Sequence, residues 1–201
     1  MASGQPFDQF LERRLFKPLG MVDTGFYVPE AKLSRLVDPP AGGRGGPPDS
    51  VLADVTQPTK LFSGGGGLVS TTRDYARFTW MLLGGGQLDG VRILSPRTLR
   101  LMTRNHLPGG VDLQTYGRPL FAEVRYDGVG FGLGFATLLD PATAKVAGNA
   151  GEFNWGGLAS TAFWVDPVDE ITVVFMTQLM PSSTYPLRPQ LRQLVYQAIV
   201  D

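Results

Sequence analysis

The stretch Ala159–Gln178, ASTAFWVDPVDEITVVFMTQ, decides the fold class. Ala159 to Val165 and Ile171 to Gln178 are rich in β-branched and aromatic residues, which suit a pleated, half-buried surface. Asp166-Pro167-Val168-Asp169 lies between them, and these residue types form turns. The segment reads as two strands joined in a hairpin. Upstream, Phe131 to Leu139 reads as another strand. Downstream, Leu191, Leu194, Val195 and Ala198 mark a closing amphipathic helix.

The first hundred residues read differently. Pro6 to Phe16 has Phe7, Phe10, Leu11 and Leu15 at helical spacing, with Pro6 suited to the first turn and Lys17-Pro18-Leu19-Gly20 as a stop. A short helix is expected from Pro29-Glu30-Ala31. Pro39 to Pro48, PPAGGRGGPP, is a loop on composition. Thr71 and Asp74 form a candidate capping box before a Tyr75, Phe78 and Leu82 stripe that ends at Gly84-Gly85-Gly86. Ser95-Pro96 opens another helix, with Leu99 and Met102 on one face. Helices, then strands, then a helix imply an α+β domain with antiparallel strands and flanking helices.

Composition narrows the function. The 201 residues carry 18 Lys+Arg and 18 Asp+Glu, so the net charge is zero and no basic field draws nucleic acid. There are 26 glycines and 16 prolines, which favour turns and loops over a helical bundle. No cysteine is present and His106 is the one histidine, so neither a disulfide nor a two-histidine zinc site can be built from this chain. Met1 to Pro6 lacks the basic and apolar regions of a signal peptide. No apolar run approaches the roughly 18 residues of a membrane span. The chain is expected to be soluble, and its compartment stays open.

Four candidate sites can be weighed. His106 could be a general base, but no serine, cysteine or carboxylate is placed with it, and a polar residue after a helix is the simpler reading. Gly64–Gly67 could cradle phosphate, but it lacks the G-K-[ST] ending, and a tight, close-packed turn is simpler. Asp166, Asp169 and Glu170 could suggest a cation site and read more simply as turn formers. Trp155-Gly156-Gly157 could be a bend with packing, or an apolar wall where a ligand approaches the backbone. No S-x-x-K, Y-x-N, S-D-N, K-T-G or G-x-S-x-G occurs.

Four segments in order resemble one family. They are Phe16 to Phe26 (FKPLGMVDTGF), Ser63 to Tyr75 (SGGGGLVSTTRDY), Asp89 to Pro96 (DGVRILSP), and Gly151 to Gly157 (GEFNWGG) followed by Phe163-Trp164-Val165-Asp166-Pro167. Together they resemble the β-lactamase-related serine hydrolases: class C β-lactamases, penicillin-binding-protein-like enzymes, and esterases and transacylases of that fold. The resemblance implies a partial β-lactamase/transpeptidase-like fold. Residues 1–201 would be the C-terminal portion of a single domain, with the segment bearing S-x-x-K and Y-x-N lying upstream of Ser3-Gly4-Gln5-Pro6-Phe7.

Residue roles follow from that resemblance. Trp155, Gly156 and Gly157 take the place of the family's K-T-G and would line the substrate. Leu158 would offer its backbone N–H as one oxyanion donor. No nucleophile lies in the chain, and no metal or organic cofactor is implied. Trp155 in the place of a lysine resembles the esterase branch. The expected function is hydrolysis or transfer of small acyl esters, or of β-lactams, once a missing N-terminal half is supplied, with the chain inactive alone. The alternatives are a non-catalytic binding or complementing protein using the same cleft wall, and a truncated product.

Overall fold

The computed structural model describes residues 3–37, 54–117, 125–182 and 184–200. The expected loop at Pro39 to Pro48 lies outside them.

The helix that opens as α1 (Phe7–Leu11) runs past Phe16 and ends inside the expected stop, Lys17-Pro18-Leu19-Gly20. It widens into a π turn, Glu12–Phe16, and continues as α2 (Lys17–Leu19). Pro18 lacks the N–H that an unbroken α-helix would use, and the ladder shifts register just before it, with Lys17 N–H donating to Glu12 O. Gly20 ends the helix at φ 65°. Its N–H donates to Lys17 O at 3.0 Å and that of Met21 to Phe16 O at 2.9 Å, the Schellman pattern that glycine permits. The expected helix after Pro29 is a 3₁₀ turn, Glu30–Arg35.

Helix α3 (Thr72–Leu83) begins where Thr71 Oγ1 accepts from Asp74 N–H at 3.2 Å. The capping box is half formed, because the Asp74 carboxylate turns elsewhere. It accepts from Asp23 N–H at 2.7 Å and from Thr24 Oγ1 at 2.9 Å. One buried carboxylate thus joins the Asp23-Thr24 segment to the start of α3. A ribbon of β1 (Gln87–Leu88) and β2 (Val91–Arg92) leads to α4 (Pro96–Met102), capped by Ser95 as expected.

After the short α5 (Leu113–Tyr116), the Phe131–Leu139 segment is not one strand. It is split between β3 (Val129–Phe131) and β4 (Ala136–Leu138). Two glycines in Gly132-Leu133-Gly134 make the break. Gly134 has φ 101°, outside the range of strand residues, and a side chain at Gly132 would collide with Met102 O. The short α6 (Pro141–Ala144) follows. Then come β5 (Phe153–Gly156), β6 (Ala162–Asp166), β7 (Ile171–Phe175) and the closing helix α7 (Leu187–Gln197). Strands β3 to β7 form one antiparallel sheet in chain order. The fold is α+β, and the β6–β7 hairpin stands where the sequence put it.

The register Phe153↔Val165, Asn154↔Trp164, Trp155↔Phe163 and Gly156↔Ala162 separates the two faces of the sheet. Phe153, Trp155, Phe163 and Val165 share the face packed by α3, where Tyr75 and Phe78 approach Phe163 at ring distances of 5.3 and 6.4 Å. The buried core continues through Phe16, Leu19, Met81, Leu82, Leu99 and Phe135.

The opposite face meets α7 by polar contacts beside half-buried Leu191 and Val195. No α7 residue is buried, and Leu194, expected in an apolar stripe, is 58% exposed. The inward positions include Arg188, Arg192 and Tyr196. Arg192 stacks over Trp164 at 5.0 Å and pairs with Glu152, while Tyr196 Oη lies 2.8 Å from Glu152 and 2.7 Å from Asp166. The helix docks through cations and a phenol because the sheet presents two carboxylates there.

Candidate functional site

Trp155 stands on the α3-facing side of β5, beyond the closed core, and is 37% exposed. Its ring meets Phe131 edge-on, with centroids 5.1 Å apart. This gives a half-open apolar wall, and edge-to-face packing fixes its orientation. Phe131 was not singled out in the sequence. Its place on β3, two strands from Trp155, depends on the β3–β4 break.

The two glycines after Trp155 have different neighbours. A Cβ on Gly156 would lie 2.5 Å from Arg188 Cζ, on the face opposite the Trp155 ring, and one on Gly157 would lie 2.5 Å from Thr161 Oγ1. The missing side chain of Gly156 therefore makes room for an arginine. Strand β6 begins at Ala162, not at Ala159, because Gly157 to Thr161 form the turn from β5. Gly157 N–H donates to Thr161 O at 3.0 Å and Ser160 N–H to Gly157 O at 3.1 Å. Ser160 sits at φ 63°, fully buried, and its hydroxyl donates to Leu179 O at 2.7 Å, which leaves it without the base a nucleophile needs. Leu158 is 49% exposed at the turn, and no described residue accepts from its N–H.

The other candidates fall to simpler roles. His106 Nε2 lies 2.8 Å from Leu101 O, and His106 N–H donates to Phe131 O at 2.8 Å, so the segment covers the outer edge of β3. The Gly64–Gly67 run is not the close-packed turn that its composition suggested. It is exposed, a Cβ on Gly64 or Gly66 would touch nothing, and only Gly67, at φ 93°, has a conformation that calls for glycine. The nearby α3 N-terminus already holds the Asp74 carboxylate, which disfavours a phosphate there. Asp166 accepts from Val168 N–H at 2.9 Å and Asp169 N–H at 3.4 Å, the hydrogen bonding of a turn former.

Two perturbed groups, Asp166 and Tyr196, meet on the α7 face. Burial raises the Asp166 carboxyl, but hydrogen bonds from Tyr196, Asn149, Val168 and Asp169 outweigh it and hold its pKa below the usual carboxylate value. Burial, then the Glu152 charge and the two carboxylate contacts, push the Tyr196 phenol well above its ordinary range. Desolvation alone raises Tyr75, beside Phe163, to about 12.

Two of the family-like segments, Phe16 to Phe26 and Ser63 to Tyr75, meet through Asp74, and the one around Trp155 forms the apolar wall. The sequence profile of the beta-lactamase family matches residues 1–197. The chain belongs to the beta-lactamase family.

Relatives within the family agree in extent. An uncharacterized protein of Mycobacterium tuberculosis is 36% identical over 191 residues, which cover 88% of this chain and 44% of the relative. Esterase EstB of Burkholderia gladioli is 28% identical over 215 residues, covering 97% of this chain and 50% of that protein. Among solved structures, EstCE1, described as a hydrolase with promiscuous acyltransferase activity, superposes with a TM-score of 0.72 at 25% identity, over 96% of this chain and 51% of that one. The chain spans about half the length of the relatives it matches.

Sequence reasoning missed Arg188, Arg192 and Tyr196. Their i, i+4, i+8 spacing on the closing helix was a readable polar stripe, hidden by the apolar residues beside it.

Proposed function

We propose that this chain is the C-terminal portion of a single serine-hydrolase domain that cleaves or transfers small neutral acyl esters through an acyl-enzyme. The Leu158 N–H serves as one oxyanion donor, Trp155 with Gly156 and Gly157 form the substrate wall, and the nucleophile comes from a segment bearing S-x-x-K and Y-x-N. The observation that carries this reading is the open Leu158 N–H on the turn beside a half-exposed indole. Serine Oγ gives its proton to the S-x-x-K lysine or Y-x-N tyrosine and attacks the ester carbonyl; the carbonyl oxygen becomes an oxyanion, which collapses as the C–O bond to the alcohol breaks, and the leaving alkoxide takes up that proton, leaving the acyl–serine ester. Water or a second alcohol then takes the acyl group. Donors aimed at the oxyanion lower both barriers, each worth roughly 2.7–4 kcal/mol.

Trp155 directs the choice of substrate. A β-lactam antibiotic carries a carboxylate that needs a partner in the cleft, and an indole offers none. A short neutral ester packs on the ring without that cost.

The test is a fluorophosphonate probe with the 201-residue chain alone and with the chain co-expressed with the S-x-x-K and Y-x-N segment of a family member. The expected result is no labelled serine in the chain alone, and labelling of the supplied serine with a p-nitrophenyl butyrate burst in the pair. Stoichiometric labelling of Ser63 or Ser160 in the chain alone contradicts the proposal.

A further inference from the structure

Arg188 projects from the first turn of α7 to the underside of the β5–β6 turn. Its Nη2 donates to Gly157 O at 2.7 Å and to Thr161 O at 3.0 Å. These carbonyls stand at the two ends of the turn that displays Leu158. Gly156 leaves the space for the guanidinium, since any side chain there would strike it.

The Gly157 carbonyl and the Leu158 N–H belong to the same planar trans peptide, in which C=O and N–H point in opposite directions. Fixing one fixes the other. A guanidinium that grips Gly157 O from the α7 side turns the Leu158 N–H away from α7, toward the side of the sheet on which Trp155 stands. The positive charge on the carbonyl oxygen also polarises the peptide and strengthens its N–H as a donor.

We infer that Arg188 is a positioning residue for the oxyanion donor: it sets the direction and donor strength of the Leu158 N–H without touching substrate. This rests on the reading of Leu158 as that donor. Loss of one oxyanion donor costs about 10²–10³ in kcat, so a donor that is loosened rather than removed should cost about 10–100-fold.

The experiment pairs two readouts on Arg188→Ala. The first is amide exchange by mass spectrometry over residues 157–161 of the full chain. The second is ester turnover after co-expression with the complementing segment. The expected result is faster exchange in the turn, kcat down about 10–100-fold with KM within about threefold, and partial recovery with added guanidinium or in Arg188→Lys. Gly156→Ala, which crowds the guanidinium without removing it, should move both readouts in the same direction and serves if Arg188→Ala fails to fold. Tyr196→Phe, on the same helix but bonded away from the turn, should leave kcat within about threefold, which separates positioning from general loosening of α7.

Unchanged exchange at 157–161 in both Arg188→Ala and Gly156→Ala overturns the role of Arg188 and leaves the Leu158 assignment standing. Faster exchange with unchanged kcat overturns the Leu158 assignment itself, and the catalytic consequence of Arg188 falls with it.

Discussion

Arg192 and Glu152 form an ion pair whose carboxylate is wholly shut from solvent, at 0% side-chain exposure against 15% for the arginine. Arg192 Nη2 donates to Glu152 Oε1 at 2.7 Å, and Nη1 meets the second carboxylate oxygen. The pairing is bidentate, and Tyr196 adds a third contact. This places a charged joint between the sheet and α7, where an apolar seam was expected.

Breaking that joint should be costly. Removing one partner of a buried pair leaves an unpaired charge, at about 3–5 kcal/mol. Arg192→Met should lower the thermal midpoint markedly. Arg192→Lys should recover only part, because an ammonium cannot reproduce the planar fork. Melting curves of the three proteins check this, and a midpoint unchanged in Arg192→Met would mean that the pair carries no stability.

Acid should loosen the same face. The lowered Asp166 pKa means that the folded state prefers its ionised form. Its stabilisation is complete above the unfolded carboxylate value and is lost as pH falls through the lowered folded value. Asp23, held down to about 2 by hydrogen bonds from Arg35 and then Lys32, adds to the loss in the same direction near pH 2. The thermal midpoint should fall as pH drops below 4, and Asp166→Asn should be less stable at pH 7 yet show a shallower acid decline. Parallel acid declines in wild type and variant would remove Asp166 from the explanation.

The two edges of the sheet differ. The β3 edge is covered by Asn105 and His106, with Phe131 N–H donating to Asn105 Oδ1 at 3.1 Å. Strand β7 pairs only with β6 among the described residues, and its sequence Ile171-Thr172-Val173-Val174-Phe175 has no charge or proline to blunt it. The chain alone should self-associate at concentrations on the order of 10 µM, and Val173→Lys, on the face away from α3, should shift it toward monomer. Sedimentation velocity distinguishes the outcomes, and a monodisperse wild-type monomer would contradict the open edge.

What could be read in the sequence was what repeats locally. The β6–β7 hairpin, the Thr71 and Ser95 caps and the α3 stripe depend on neighbours within about a turn or a strand, so their residues announce them. The β3–β4 break did not show, because Gly132 is forced by the distant Met102 carbonyl. The α7 stripe is half formed for a similar reason, with Leu191 and Val195 half-buried and Leu194 and Ala198 exposed. Leu194 is as good a core residue as any in isolation, and the carboxylates of Glu152 and Asp166 across the interface draw Arg192 and Tyr196 inward beside Leu191 and Val195. At the proposed site, Trp155 and Leu158 enter through the family resemblance, whereas Arg188 required the Gly157 carbonyl to be seen in space.

Paired kinetics test whether Trp155, as proposed, sets a preference for neutral esters. In the complemented protein, kcat/KM is measured for a short-chain p-nitrophenyl ester and for a cephalosporin, in wild type, Trp155→Ala and Trp155→Lys. The expected result is a wild-type preference for the ester, weakened ester turnover in Trp155→Ala through lost packing on Phe131, and a ratio moved toward the cephalosporin in Trp155→Lys. A wild-type preference for the cephalosporin, or a ratio unmoved by Trp155→Lys, would show that Trp155 is packing alone and would contradict the ester assignment.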